Sequence, residues 1–424
     1  MPQLRIKNFG PIKNGFTEND GFMEISPVTV ICGNQATGKS TIAKLYSTLT
    51  WLEKAYLKSS LNSNKFLDID FVSYCSEQKL SEYFTKETEI TYIGTICIFE
   101  YKAMQFTQKV IEDLYANLKK YNRPKIMYVP AERNLLTVVD NAENIKNLPL
   151  MLSILLEEYN KAKKNSETGI FELPISDIKL QYDKQTLSTK VLTNTGAVDI
   201  LNSSSGIQSV APISLVTRFL TKTVTSDFAK NIKRLSLNER KSIKDWLMKF
   251  SDNKPEMTLY YLDQIFYGQK VNEIIQRKIE VLIHFFFNTC FINIVEEPEQ
   301  NLYPESQGKV LYELLECLNS NKDNQLIITT HSPYILSYLT LSAKAAELLN
   351  KGVLADKIEK IVPEKSAVSG NKIAIYETKE DGSITKLSPY ENLPSDDNLL
   401  NKAMAEGNEN FSRLLDLEVA FCHK

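Results

Sequence analysis

Two rhythms of apolar and polar residues run along the chain, and the switches between them mark out its elements. Leu4 to Asn8 alternates before a Gly10-Pro11 turn, which predicts a strand. Val28-Thr29-Val30-Ile31-Cys32 is mostly β-branched and predicts a buried strand. After it, Ile42, Leu45 and Tyr46 fall near one face of a helix. From Trp51 to Tyr121 the pattern is mixed, with helices and a strand near Ile90–Phe99. Ile126 to Val129 predicts a short strand stopped by Pro130, and Leu148 to Tyr159 a helix. Ile170 to Ile200 alternates and carries turn residues, as expected of antiparallel strands on a rim.

The second half returns to longer periods. Ser214 to Leu220 starts a helix, and Thr221 to Phe250 is basic and helix-prone up to a break at Asp252-Asn253-Lys254-Pro255. Val271 to Phe287 resumes a helix, and Phe291 to Val295 is a buried strand. Helix (Pro304–Asn319), strand (Gln325–Thr330) and helix (Pro333 onward) then alternate. Ile373–Glu377 and Ile384–Leu387 read as a hairpin around Asp381-Gly382, and Asp396 to Leu417 as a closing helical tail. Strand–helix alternation at both ends predicts one α/β core with a parallel sheet. That core takes residues 1–50, 126–220 and 288–424, split by a mixed segment over 51–125 and a basic helical insertion over 221–287.

Composition narrows the chemistry. A chain of 424 residues has ample length for a large core, and a net charge of −2 confines any contact with phosphates to a local patch. Six scattered cysteines without a CxxC pair, and only three histidines, argue against a zinc site and a disulfide framework. They suit a reducing cytoplasm. The longest apolar stretch, Val281 to Val295, is interrupted by His284, Asn288 and Asn293 and is too short to span a bilayer, so no membrane partner is expected.

The strand ending at Cys32 runs straight into Gly33-Asn34-Gln35-Ala36-Thr37-Gly38-Lys39-Ser40-Thr41, a full phosphate-loop pattern. Glycines let successive N–H groups approach the phosphates of ATP. Lys39 reaches the β/γ-phosphates, the Ser40 hydroxyl ligates Mg2+, and the helix that follows adds its positive end. The strand Phe291–Val295 ends in Glu296-Glu297-Pro298, where a neighbouring strand of such a fold carries its carboxylates. Glu296 suits the magnesium shell, and Glu297 suits orienting the attacking water. His331, at the tip of the next strand, is placed to donate to the γ-phosphate. Asn202-Ser203-Ser204-Ser205-Gly206-Ile207-Gln208 precedes an apolar helix and reads either as an anion site or as a Ser-rich cap.

These segments together resemble the ABC ATPase superfamily, in the branch containing SMC, RecF and OLD-type proteins. Ser205-Gly206-Ile207-Gln208 is similar to its signature motif, although Ser204 and Ile207 stand where a leucine and a second glycine are usual. Glu296 to Leu302 is similar to a Walker B motif running into the D-loop, with Glu296 in place of the usual aspartate, and His331 to the switch histidine. Leu4 to Pro11 is similar to the first strand. The resemblance implies an α/β P-loop NTPase of ABC ATPase type, with a mixed sheet flanked by helices and a helical insertion. It also implies a homodimer or higher oligomer in which Ser205, Gly206 and Gln208 of one protomer complete the phosphate-loop site of the other. Tyr128 to Arg133 is similar to a segment of OLD-like ATPases, in which Glu132 or Arg133 approaches the metal or phosphates, or forms a structural ion pair. The residues after Lys351 show neither the glycine-flanked acidic motif nor the Asp-x-Asp of a Toprim nuclease, and three histidines argue against an HNH or HD nuclease, so the chain resembles stand-alone ATPase subunits of anti-phage systems (PtuA- and AriA-like) that serve a separate effector protein. A RecF- or SMC-like repair ATPase and an ATP-stabilised scaffold are the alternatives. Lys222, Lys230, Lys233, Arg234, Arg240, Lys241, Lys244 and Lys249 make the insertion a surface for DNA or a partner, or a solvated helical face.

Overall fold

A computed structural model describes the whole chain except residues 63–69, 112–120, 141, 176, 225–227, 251–254, 277–278, 280–285, 392 and 423–424. Its centre is a seven-stranded sheet in the order Gly15–Phe16, Ser383–Lys386, Ile373–Thr378, Val28–Gly33, Gln325–Thr330, Cys290–Glu296, Pro124–Val129. The five longest strands run parallel. Ser383–Lys386 returns antiparallel to Ile373–Thr378 across the Asp381-Gly382 turn, so the sheet is mixed rather than wholly parallel. A two-residue reversal cannot carry a parallel crossover, and the hairpin anticipated from the sequence dictates that reversal.

Side chains of the central strands alternate between two cores. Val28, Val30, Cys32, Phe291 and Val295 face one cluster, together with Leu311, Leu315, Ile335 and Leu339 from the helices Pro304–Asn319 and Pro333–Asn350. Ile31, Ile292 and Ile294 face the other, with Ile42, Leu45, Tyr46 and Leu49 of the helix Lys39–Asn62. The second cluster also holds one face of a five-stranded antiparallel sheet in the order Met23–Glu24, Gln3–Lys7, Glu89–Ile93, Cys97–Lys102, Gln105–Val110. The strand expected near Ile90–Phe99 is thus two strands and a tight turn. Their pairing with the first strand joins residues 89–110 to the N-terminal segment. The alternating stretch after Ile170 forms a separate four-stranded antiparallel sheet.

Two helices differ from the sequence pattern. The helix expected from Ser214 begins at Ser205 and runs to Thr223, because its first turn is polar and escapes an apolar period. A helix at Pro255–Phe266 follows the anticipated break, with proline as its first residue, where a missing N–H costs nothing. With Phe228–Arg234 and Leu237–Phe250 it encloses a small core of its own around Ile232, Ile243, Leu262 and Phe266. Of the helix expected over Val271–Phe287, residues 273–276 and 279 are α-helical and 271–272 and 286–287 are not, while 277–278 and 280–285 lie outside the described residues. Among the described residues no helix is long and apolar enough to cross a membrane. The tail is a helix, Leu399–Cys422, exposed from Lys402 to Phe421.

Candidate active site at the carboxyl ends of the parallel strands

Strand register decides what meets at the sheet's edge. Cys32 pairs with Thr330 and Glu296 with Thr329, so the phosphate loop, the acidic pair and His331 leave neighbouring strands at the same level. In open α/β sheets that edge is where ligands bind.

The phosphate loop has the backbone its glycines permit. Gly33 has φ +139°, and a Cβ there would lie 2.4 Å from the Thr378 carbonyl oxygen. Gly38 has φ +102°, with Ile12 2.9 Å from a Cβ position. Ala36 also takes a positive φ, so the turn is tight throughout. Thr37 Oγ1 donates to the Asn34 carbonyl at 2.7 Å and lies 2.6 Å from Thr378 Oγ1, which fastens the loop to the adjacent strand. Asn34 Nδ2 donates to Glu380 at 3.0 Å. Lys39 is buried under the loop, its Nζ donating to the carbonyls of Gly33 (3.0 Å) and Asn34 (2.6 Å). Burial pulls its ammonium down to about 8, opposed chiefly by the charge of Glu297 and more weakly by Glu299 and Glu296. Ser40 is exposed beside it, Thr41 is buried in the first helical turn, and Gln35 is exposed at the loop tip.

Glu296 ends its strand almost fully buried. Its Oε2 accepts from Ala131 N at 3.1 Å, while its Oε1 has no hydrogen-bond partner. Burial, reinforced by the Glu296 charge, pushes the Tyr128 hydroxyl well above its usual range, so the phenol stays neutral beside the carboxylate. An orphaned carboxylate oxygen in a dry site fits a divalent cation, which would satisfy it together with the exposed Ser40 hydroxyl.

Glu297 lies in the left-handed region (φ 43°). Its N–H donates to the Thr329 carbonyl at 2.8 Å and its own carbonyl accepts from Arg133 Nη2 at 2.8 Å. Its carboxylate is half-exposed and 3.3 Å from His331 Nε2. That hydrogen bond, then the charges of His331, Lys39 and Arg133, holds the Glu297 carboxyl below its usual range. Glu299, buried and pushed upward by that burial, accepts from Thr330 Oγ1 (2.6 Å) and from the His331 N–H (2.8 Å). Ser332 caps the next helix through Tyr334 N and donates to Gln307 at 2.6 Å. The turn carrying His331 is therefore fixed from both sides. Such a carboxylate–imidazole pair at a strand tip can orient a water and stabilise developing charge.

The signature-like segment lies elsewhere. Ser205 and Gly206 start a helix that packs on residues 131–138, 150–164 and 304–319, and no hydrogen bond among the described residues links them to the loop 33–41. Ser205 is exposed; Gly206 is buried, and a Cβ on it would sit 2.8 Å from the Asn301 carbonyl. Gln208 turns inward, its amide donating to the carbonyls of Ile200 and Leu201 at 3.0 Å each. This holds the segment rather than presenting an amide to a ligand. Among the described residues Arg133 makes no ion pair and no hydrogen bond to a carboxylate or to the loop 33–41. Its guanidinium is fully buried and donates to four carbonyls: Ser209 (3.1 Å), Pro130 (3.3 Å), Glu296 and Glu297 (2.8 Å each). Glu132 makes no contact with the acidic pair among the described hydrogen bonds and is exposed. Glu299, which the sequence places only within the D-loop-like segment, also shapes the site, as do Thr378 and Thr137, which no motif marks because only the fold brings them to it.

No curated protein matches the chain. Among solved structures, an SMC head domain from Thermotoga maritima is similar, at 10% identity and a TM-score of 0.38, over 93% of this chain and 98% of that one. An SmcHead bound to the C-winged helix domain of ScpA is similar at 10% identity and a TM-score of 0.37, over 95% and 98%. Residues 288–336 match the family model described as the AAA ATPase domain. That stretch holds the strand of Glu296, the Glu297 turn and the strand leading to His331, so the family likeness and the site's acidic half coincide.

Proposed function

We propose that the protein is an ATP-hydrolysing switch of the ABC type. The observation that carries this reading is the meeting, at one sheet edge, of a buried phosphate-loop lysine, a buried carboxylate with an unpartnered oxygen, and a glutamate–histidine pair. ATP is held by the 33–41 loop, with Lys39 on its β/γ-phosphates. Mg2+, held by Ser40 and Glu296, supplies charge neutralisation on the phosphates. Glu297 orients the attacking water and takes up its proton, and His331 keeps Glu297 ionised and in place. The exposed Ser205 and the helix start behind it serve the nucleotide of a second protomer, which makes ATP the link of a homodimer or larger oligomer. Gln208 supports that helix start from beneath.

The resemblance to stand-alone subunits of anti-phage systems supports a further step, in which the assembled ATPase governs a separate effector protein, with the basic insertion as a surface for that partner or for DNA. The deciding experiment is the light-scattering mass of Glu297→Gln protein with and without ATP–Mg2+, beside phosphate release by wild type. A rise in mass with ATP, and hydrolysis lost in the variant, supports the composite switch. A stable oligomer indifferent to ATP, with little hydrolysis by wild type, leaves only a nucleotide-stabilised scaffold.

A further inference from the structure

The helix Ser205–Thr223 contains a proline at position 212. Proline has no N–H to give the carbonyl four residues earlier, so the Gln208 carbonyl loses its helical partner and the first turn loses a tie to the rest of the helix. The structure meets that gap from outside: Thr137 Oγ1 lies 2.8 Å from the Gln208 carbonyl and shares its one proton between it and the Asn134 carbonyl at 2.9 Å. One residue on, Arg133 Nε donates to the Ser209 carbonyl at 3.1 Å. The other arms of the same guanidinium hold the carbonyls of Glu296 and Glu297. One rigid, planar group thus touches the helix at its weak point and both residues of the acidic pair. Burial lowers the guanidinium only to about 10, so it stays charged at neutral pH, and among the described residues its acceptors are all carbonyls.

We propose that Arg133 is a positioning residue that relays the state of the Ser205 helix start to the acidic pair, with Pro212 as the hinge that lets this first turn move. The relay rests on the switch reading above. When a second protomer's nucleotide engages Ser205, the turn 205–208 shifts about Pro212. Arg133 and Thr137, which grip carbonyls 209 and 208, shift with it. Because Arg133 also fixes the Glu297 carbonyl in a left-handed turn, the carboxylate reaches its working position only when the helix start is engaged. Each protomer would then hydrolyse its own ATP only after it has grasped its partner's.

The test compares wild type with Arg133→Met, Arg133→Lys, Thr137→Val and Pro212→Ala, following thermal melting, steady-state kinetics and ATP-dependent mass in a Glu297→Gln background. Pro212→Ala restores the N–H that can bond the Gln208 carbonyl but removes part of a buried ring, so its kinetics are read well below its own melting temperature. The expected result is a fall in kcat of about tenfold or more for Arg133→Met and Pro212→Ala, with KM within about threefold and the ATP-bound assembly still forming. Thr137→Val falls in the same direction by less. Arg133→Lys, which keeps the charge but not the fork, recovers part of the loss. A wild-type protein that hydrolyses ATP and assembles around it, beside Arg133→Met or Pro212→Ala variants with unchanged kcat, overturns the relay alone. Loss of kcat, KM and melting temperature together, with no recovery by lysine, reduces Arg133 to a strut. A wild type that neither hydrolyses ATP nor changes mass with it overturns the switch reading and the relay with it.

Discussion

Replacing Glu297 by glutamine tests the site at its chemical centre while leaving its architecture alone. The backbone that places this residue is secured by two bonds the substitution keeps: N–H to the Thr329 carbonyl, and carbonyl from Arg133, each 2.8 Å. Glutamine is isosteric, and its amide oxygen can still accept from His331, 3.3 Å from the present carboxylate. The change therefore removes a negative charge and a proton acceptor from a half-exposed group and little else, and stability is expected to move by no more than about 0.5 kcal/mol. Removing a positioned base typically costs about 10²- to 10⁴-fold in rate. That corresponds to about 3–5 kcal/mol of transition-state stabilisation. Phosphate release at saturating ATP–Mg2+ should fall by that factor, while nucleotide affinity is retained and the ATP-linked assembly lives longer. Turnover within about threefold of wild type, in a variant that melts normally, would refute the assignment of Glu297 and point the search for the base toward Glu299 or a solvent water.

Three further outcomes follow from the same geometry. Gly206→Ala places a Cβ 2.8 Å from the Asn301 backbone carbonyl, so the helix start must part from the turn behind the acidic pair; the expected loss is about 1–3 kcal/mol in denaturant unfolding, with weaker ATP-driven assembly. Lys39→Met abolishes nucleotide binding in a fluorescence titration yet raises the melting temperature near pH 7. The folded lysine titrates near 8 and the unfolded one at its ordinary 10.5, so wild-type stability rises with pH between those values and the two melting curves converge near pH 10. His331→Ala acts on the acid side. Glu297 is held below its ordinary value chiefly by that histidine, a contribution present above the unfolded carboxyl's pKa and lost as pH falls through the lower folded one. The variant's stability should therefore decline less steeply below the ordinary 4.5, as read by urea midpoints across that range.

What was legible in the sequence was whatever is written in consecutive residues. Val28–Cys32 followed by the phosphate loop specifies strand, turn and helix within one short window, and Phe291–Glu297 and Gln325–His331 do the same for their strand tips. The hairpin at 373–387 could be read from its turn, and with it the antiparallel step in the sheet; its outer neighbour Gly15–Phe16, paired in parallel from the far end of the chain, could not. The start of the Ser205 helix was missed because Ser205, Gly206 and Gln208 form a polar first turn, and an apolar period only emerges beyond it. Periodicity reports which residues face a core; it is blind to a turn whose polar atoms are satisfied by distant backbone.

Arg133 shows why that blindness matters for function. In the sequence it is an arginine beside a glutamate, and either a ligand contact or a salt bridge is the natural reading of such a pair. In the fold it makes neither, because every donor it uses is taken by main-chain carbonyls from three separated segments. Carbonyls carry no sequence signal, so no inspection of residue types could reveal them as its partners. A fully buried guanidinium is costly unless its donors are met, and here the donors are met by the residues whose positions decide hydrolysis. The charge that stabilises this junction is thus the same charge that would make the junction sensitive to movement of the helix, and a substitution there should separate folding from turnover more cleanly than one at the phosphate loop.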